Sequence, residues 1–487
     1  MKKLLIILVF SLITYLSFAG GLKAYMSYAA FNTPGNQPYL ETYLTVKGSS
    51  VKHVLNSENK YQGSVEVQII FRQNDSIVDF AKYELKGPSV SDTLEGFPNF
   101  LDVQRFALGN GTFDIELKMK DLNSGQEPLV SLDSYKINFP KLGNSFSDIK
   151  FLSSYEKSDS AGSFTRNGYY MLPYVFNFFP QNTNTLKFYT ELYNNKIDTS
   201  NENFLLTYYL RPFELDKGLD KYTIVQRKKA GKVNSIVGNI DISTLPSGNY
   251  YLVVEARNRE NELITSKKMF FQRINPRIKV DMNDIYSIDP SDSFVIAINN
   301  IDTLKKFISW IDPISTEFEK AFANALLIND TVVEDLQRYF LNFWVNRDQL
   351  NPLGAWSRYK AVVLQVNKGF SAVNIPGFYT DRGRIFLKYG APDVINQNYS
   401  EPFSYPYEIW HYYVLPDNQK DIKFVFYTHD IATDDFQLIH SNAIGELANY
   451  NWKSFINRLS GIGNVQNKNT DVDSWGSKQN DNYNLPR

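Results

Sequence analysis

The distribution of apolar and polar residues changes period twice along the chain. From Leu22 to about Phe139 short segments alternate residue by residue: "YLETYLTV" (39–46), "SVEVQIIF" (64–71), "IVDFAKYEL" (77–85), "TFDIELKM" (112–119) and "SYKINF" (134–139). Alternation puts every second side chain on one face, and the Gly, Asn, Pro and Ser clusters between segments supply turns, so the pattern predicts a β-sandwich. The pattern then returns. "LGNGTFDIELKMKDLNSG" (108–125) aligns with "LPSGNYYLVVEARNRENE" (245–262), with Gly111 falling on Gly248. Phe113, Ile115, Leu117 and Met119 then match Tyr250, Leu252, Val254 and Ala256 as an inward row. "YLETYLTV" is likewise echoed by "LKFYTELYN" (186–194). A shared turn glycine followed by a shared register predicts two copies of one sandwich, over 21–142 and 143–278.

Past "FFQRINP" (270–276) apolar residues recur three and four apart, in "DTLKKFISWI" (302–311), "ISTEFEKAFANALL" (314–327), "DTVVEDLQRYFLNFWVNRD" (330–348) and "PLGAWSRYKAVVLQVNKGF" (352–370). This spacing predicts amphipathic helices forming a connector over 279–372, with Asp330 as an N-cap and Pro352 at a first helical position. Leu336, Phe340, Phe343 and Trp344 form a stripe expected to be core. Alternation resumes in "RIFLKY" (384–389), "YEIWHYYV" (407–414), "IKFVFYT" (422–428) and "FQLIH" (436–440), predicting an antiparallel meander packed on the helices as an α+β domain over 373–445. Residues 446–487 are expected to hold a short helix or turn and a disordered polar tail. The fold class expected is mixed: two tandem immunoglobulin-like β-sandwiches, a helical connector and a C-terminal α+β domain.

The first residues, "MKKLLIILVFSLITYLSFAGG", set two lysines before an apolar run that ends on small residues, which reads as a signal peptide over 1–19. The run is shorter than the roughly 20 residues of a membrane span, and no later segment is apolar enough to cross a bilayer. An exported protein is expected, in the periplasm, at the outer membrane or outside the cell. The 487 residues contain no cysteine, which excludes a lipidated cysteine, disulfides, a thiol nucleophile and thiolate metal ligands. With 51 Lys+Arg against 52 Asp+Glu and no basic run beyond "QRKKAGK", nucleic acid is not an expected partner. Aromatic residues make up 15% of the chain and suit half-buried strands and contact with a partner.

Chemistry concentrates in "GFYTDRGRIFLKYGAPDVI" (377–395). Pro376–Gly377 is a turn pair, and Asp381 two residues before Gly383 suits an Asx-type turn whose carboxylate accepts backbone N–H groups. On a strand from Arg384, the side chains of Arg384, Phe386 and Lys388 would share one face and those of Ile385, Leu387 and Tyr389 the other. Gly390 can take a positive φ, and Pro392 cannot continue a central ladder. Asp348, Asp381, Asp393 and Glu408 are the candidate acid/base groups. Each has an arginine nearby in sequence or on an adjacent predicted strand, so a structural clamp is expected rather than catalysis. His411, His429 and His440, with Asp430, Asp434 and Asp435, lack the spacing of a zinc helix or the glycine loop of a calcium site, so no metal is expected. No nucleophile elbow, phosphate loop or dinucleotide fingerprint is present, and no cofactor is expected.

The stretch also carries a resemblance. Together with "PYEIWHYY", "FWVNRDQLNP" and "YKAVVLQVNKGF", it resembles the GWxTD-domain family of exported proteins, chiefly from Gram-negative bacteria of the Bacteroidetes type. Gly377, Thr380, Asp381, Arg382, Gly383, Arg384, Gly390, Pro392 and Asp393 match that family's motif, as do Glu408 and Trp410 downstream and Phe343, Trp344, Arg347 and Asp348 upstream. Phe378 stands where the name-giving tryptophan would be and keeps the ring without the indole donor. The resemblance implies a structural motif and no reaction. The expected function is a non-enzymatic cell-envelope protein that binds an envelope protein or glycan, with Asp381, Arg382 and Arg384 as a polar clamp and Phe378, Trp344 and Trp410 packed around it. The competing expectation is a glycan-directed hydrolase or binding module using carboxylates of the C-terminal domain.

Overall fold

The computed structural model describes residues 21–94, 96–194, 203–276, 289–328, 332–401, 403–416, 418–449, 451–457 and 478–484. The signal-peptide residues 1–19 and the N-cap at Asp330 lie outside them. The fold is mostly β, with several antiparallel sheets and a smaller set of helices.

Four sheets occupy the N-terminal part and pack in two pairs. In the first pair, strands Ala24–Phe31, Tyr39–Val46 and Phe100–Phe106 form one sheet. Strands Ser76–Lys86, Tyr61–Gln73, Gly111–Asp121 and Leu129–Ile137 lie side by side in the other. Their facing rows, Leu40, Leu44 and Val46 against Val65, Val67, Ile69 and Phe71, close one core. In the second pair, Thr185–Asn194 and Val233–Asp241 face Asn203–Pro212, Gly248–Arg257 and Leu263–Arg273. Gly111 and Gly248 each begin a strand, and both aligned rows, Phe113 to Met119 and Tyr250 to Ala256, are buried.

A second layer of burial joins the pairs. Ala29, Phe31, Tyr43 and Val103 turn away from the first core and meet Leu152, Met171, Val175 and Tyr189. Strands Tyr39–Val46 and Thr185–Asn194 are therefore buried on both faces, one face in their own core and the other in this junction.

Helices Ile301–Trp310, Glu317–Ile328, Val333–Arg347 and Pro352–Gly369 follow, each within a few residues of its predicted span. Asn351 caps the last of them by accepting from Gly354 N–H at 2.9 Å, with Pro352 at the first helical position. Leu336, Phe340, Phe343 and Trp344 are buried in a cluster with Phe307, Trp310 and Trp356. Strands Val394–Asn398, Tyr407–Val414, Lys420–Tyr427 and Gln437–Ser441 then form an antiparallel meander in chain order.

Two expectations are corrected. "RIFLKY" is not a strand: Asp381–Tyr389 is a helix, and the meander begins at Val394. Thr380 starts the helix by accepting from Gly383 N–H at 3.1 Å, and Asp381 sits in the first turn, where its charge favours the exposed N–H dipoles. The alternation of Ile385, Leu387 and Tyr389 imitates a strand, but the buried set also includes Arg382 and Gly383, so that 382, 385 and 389 fall three and four apart. The tail is also not wholly free. Gln479–Asn484 is a short helix seated on the sheet, with Gln479 Nε2 donating to Ser404 Oγ at 2.7 Å and the Tyr483 ring beside His440 and Trp452.

The motif helix begins where backbones nearly touch. A Cβ on Gly383 would run into the carbonyl oxygen of Gly377, and one on Gly377 would meet the carbonyl of Val366. Gly383→Ala is expected to cost about 1–3 kcal/mol through forced displacement of packed backbone. Gly369→Ala, with open space around it, should leave the urea midpoint nearly unchanged. Equal midpoints for the two variants would refute this crossing.

Candidate functional site

The motif residues divide between two ion-pair centres. Arg382, on the buried side of the motif helix, donates from Nη1 to Glu408 at 3.1 Å and from Nη2 to Asp434 at 2.7 Å. Glu408 is 1% exposed. Its Oε1 also accepts from Tyr399 OH at 2.5 Å and Gln397 Nε2 at 3.3 Å, while Oε2 accepts from Trp410 Nε1 at 2.9 Å. The Arg382 guanidinium lies 4.3 Å from the centre of the Phe436 ring. A buried carboxylate so supplied with donors is held in one orientation.

The second centre is Glu446, which sequence reasoning missed. Arg384 donates to both of its oxygens, at 3.2 and 2.9 Å, and Lys388 Nζ and Tyr389 OH reach Oε1 at 2.7 and 2.9 Å. Burial works to raise the Glu446 pKa, but Lys388 and Arg384 outweigh it and pull it from 4.5 down to about 2. Lys388 also lies 5.4 Å from the centre of the Phe213 ring, so this centre links the motif helix to the second sheet pair.

The other predicted residues take separate places. Asp381 Oδ2 accepts from Leu438 N–H at 2.8 Å, a tertiary tie in place of the local Asx turn, and Arg384 Nε is 3.9 Å from its other oxygen. Arg347 holds Glu319 in a fork at 2.8 and 2.9 Å. Asp348 accepts from Asn351 N–H at 3.0 Å and meets Arg358 near the surface at 3.3 Å. Asp393 is exposed and accepts from Tyr413 N–H at 2.6 Å. Phe378 and Trp344 belong to the helical core, whereas Trp410 packs with Phe370 and Phe426 in another, so the three rings do not form one shell. Gly390 has φ 85° and ends the helix ahead of Pro392. His411 pairs with Asp421 at 2.7 Å, and His440 Nδ1 accepts from Asn449 N–H at 3.1 Å. No cluster of three or more metal-ligating side chains occurs among the described residues.

The largest polar network lies elsewhere, in the junction between the sheet pairs. Arg166 donates to Glu191 from Nε at 2.6 Å and Nη2 at 2.9 Å, and to Glu41 from Nη1 at 3.0 Å. Lys150 Nζ reaches Glu41 at 3.2 Å and Arg105 Nε does so at 2.7 Å. Tyr43 donates to Glu41, while Tyr189 and Tyr193 donate to Glu191. Burial opposes ionisation of Glu41, but Lys150 and Arg166 overcome it and bring its pKa to about 2. The signal was present in the echoed strands. Both read Tyr-x-Glu-x-Tyr, Tyr39-Glu41-Tyr43 and Tyr189-Glu191-Tyr193, with an acid on a row that period two buries.

Removing one partner of a buried pair leaves the other charge uncompensated. Arg166→Met, which removes the ion-pair partner of Glu191, is expected to lower unfolding free energy by about 3–5 kcal/mol, and Glu408→Gln by less, because Arg382 keeps Asp434. Asp348→Asn, whose partner Arg358 is exposed, should cost less than about 1 kcal/mol by the same urea titration. Acid should act in two stages. Burial lowers the His440 pKa from 6.5 to about 4, so the unfolded state binds its proton first and stability falls as pH drops through that interval. Glu446 and Glu41, depressed from 4.5 to about 2, contribute fully above 4.5 and lose that contribution as pH falls toward 2. Melting temperature against pH should show both stages, with His440→Gln flattening the upper one and Glu446→Gln reducing the lower.

Comparison with known proteins gives a family for the C-terminal part. No curated protein matches the chain. Among solved structures, fibronectin(III)-like modules of Clostridium thermocellum CbhA match at 10% identity over 50% of this chain and 89% of theirs, with a TM-score of 0.14. Bacteroides uniformis beta-glucuronidase 2, a calcium-binding mutant, matches at 9% identity over 47% of this chain and 26% of its own, with a TM-score of 0.18. Bifidobacterium dentium beta-glucuronidase matches at 10% identity over 52% and 48%, with a TM-score of 0.17. These overall similarities carry no functional weight. Residues 298–458 match the model of the GWxTD domain, a span that takes in the helices, the motif helix, the meander and both ion-pair centres. Residues 298–458 therefore carry a GWxTD domain, with Phe378 in place of the motif tryptophan.

Proposed function

We propose that this chain is a non-enzymatic protein of the cell envelope that binds another envelope component. Its N-terminal apolar run serves export, and its two sheet pairs are immunoglobulin-like copies of one sandwich carried in tandem ahead of the GWxTD module. The observation that carries the reading is the state of Glu408. A general acid or base must exchange a proton with substrate, yet both oxygens of this buried carboxylate are already taken by Arg382, Tyr399, Gln397 and Trp410. Asp393, another of the four candidate acids, is exposed and bonded to a backbone N–H, so it and Glu408 do not share the environment that a paired hydrolytic site needs. The shared Tyr-x-Glu-x-Tyr rows and aligned strand-starting glycines support the tandem-copy reading.

The test is made on the full chain in its producing cells. Cross-linking from the envelope fraction is expected to join it repeatedly to one envelope component, while the purified chain leaves chromogenic glycosides and casein uncleaved. Turnover by the wild type that Glu408→Gln abolishes without shifting the thermal melt would overturn the reading.

A further inference from the structure

One edge of the first sheet pair is open. Strand Ser76–Lys86 bonds to Tyr61–Gln73 on one side, and no described strand pairs with its other side. Two hydrogen bonds tell which groups face that side. Gly87, just past the strand, donates its N–H to Gly63 O at 2.9 Å, so the odd-numbered residues turn their peptide groups toward Tyr61–Gln73. Phe80 N–H turns the other way and is met by the side chain of Asp79 at 2.8 Å. The N–H and C=O groups of Phe80, Lys82, Glu84 and Lys86 therefore line the open edge.

The features that usually shield an edge are slight here. Two lysines stand on it, but the 11 residues contain no proline, and the bulge lies at the hairpin end, opposite Phe71 and Arg72. The side chains are also poorly covered. Ile77, Val78 and Phe80 are 58%, 46% and 64% exposed. Ala81, Tyr83 and Leu85 point into the core of the pair yet are only partly buried, since no described strand pairs beyond them. The charges are held loosely. Lys82 meets Glu66 at 3.2 Å and Lys86 meets Glu84 at 4.0 Å, all four exposed enough for water to compete.

We propose that a second copy of this chain pairs with this edge, the two Ser76–Lys86 strands running antiparallel about a two-fold axis at Tyr83. The strand's own sequence selects that register. Lys82 then faces Glu84 of the second copy and Glu84 faces its Lys82, while Phe80 faces its Lys86, whose stem and ammonium suit an aromatic ring. These are the residues whose peptide groups point outward, so each such pair exchanges two hydrogen bonds. On the core side Tyr83 meets its own copy and Ala81 meets Leu85, which continues the partly buried row across the seam. Other registers fit worse. An axis at Lys82 or at Glu84 sets that residue against its own charge. An axis at Ala81 sets Lys82 against Phe80 and Glu84 against Val78, so no charge meets its opposite. One at Leu85 sets Lys82 against Pro88, which has no N–H to donate. An axis between residues would turn outward peptide groups against inward ones. A foreign strand would have to bring the same alternation of acid and base in reverse, which a second copy supplies by symmetry. The pairing goes beyond the envelope-partner reading and does not rest on it.

The experiment is sedimentation velocity on the full chain from about 1 to 100 µM, where a dimer that grows with concentration is expected. Lys82→Glu and Glu84→Lys, each checked by circular dichroism for an intact fold, should each weaken dimerisation by about tenfold or more, because each sets like charges face to face twice. An equimolar mixture of the two should restore it, since their charges complement each other across the axis. As a second readout, Tyr83→Cys should close a disulfide between copies under mild oxidation, the non-hydrogen-bonded pair bringing the two Cα atoms within bridging distance. Ser131→Cys, on the opposite edge strand Leu129–Ile137, should not. The chain has no cysteine of its own to confuse that readout. A chain that stays monomeric through about 100 µM, a dimer indifferent to the folded charge variants, a mixture no more dimeric than its parts, or Ser131→Cys cross-linking as fast as Tyr83→Cys overturns the pairing. If a charge variant fails to fold, the two cysteine variants decide alone.

Discussion

A carboxylate removed from water is tolerable only when donors replace the water it has lost, and this molecule meets that requirement at several separate places among the described residues. Glu191 and Glu41 share Arg166 in the junction between the sheet pairs, Glu408 receives Arg382 beneath the meander, and Glu446 receives Arg384 and Lys388 against the second pair. In a chain with no disulfides, these pairs add directional constraint to cores that are otherwise held by non-directional burial. A well-packed apolar junction could be as stable. What the charges add is register, because a guanidinium fork fits its carboxylate in few orientations.

The same requirement explains the motif. Arg382, Gly383 and Arg384 are adjacent in sequence, yet their neighbours differ. Arg382 points under the helix to the sheet, Gly383 leaves room for the backbone of Gly377, and Arg384 points to Glu446. A helix separates consecutive side chains by roughly a quarter turn, so three neighbouring residues can serve three different surfaces. On a strand they could have served only two.

Legibility in the sequence followed the range of the physics involved. Strands such as Tyr61–Gln73 and Gly111–Asp121, the helices from Ile301 to Gly369 and the last three meander strands could be read because each buries one face and the period reports it. The motif helix could not, since Ile385, Leu387 and Tyr389 alternate as a strand would over so short a span, and only the Thr380 cap decides for a helix. The arginine clamp was legible as composition, but its partners were not: Glu446 lies 62 residues beyond Arg384, and Asp434 lies 52 beyond Arg382. Glu41 and Glu191 stand in echoing segments, but alternation of apolar residues does not register an acid on the buried row. The docked Gln479–Asn484 helix rests on a single aromatic, Tyr483, amid polar neighbours, too little for a periodicity argument to detect.

Strands Tyr39–Val46 and Thr185–Asn194 keep no face for solvent, and this bears on how the molecule carries load. Two modules joined by a peptide tether alone would swivel, and tension would simply straighten the tether. Here the pairs also meet through a buried seam in which Arg166 grips Glu41 from one side and Glu191 from the other. Sliding one pair over the other would have to break several directional bonds at once, so the seam couples the two pairs more tightly than a tether could.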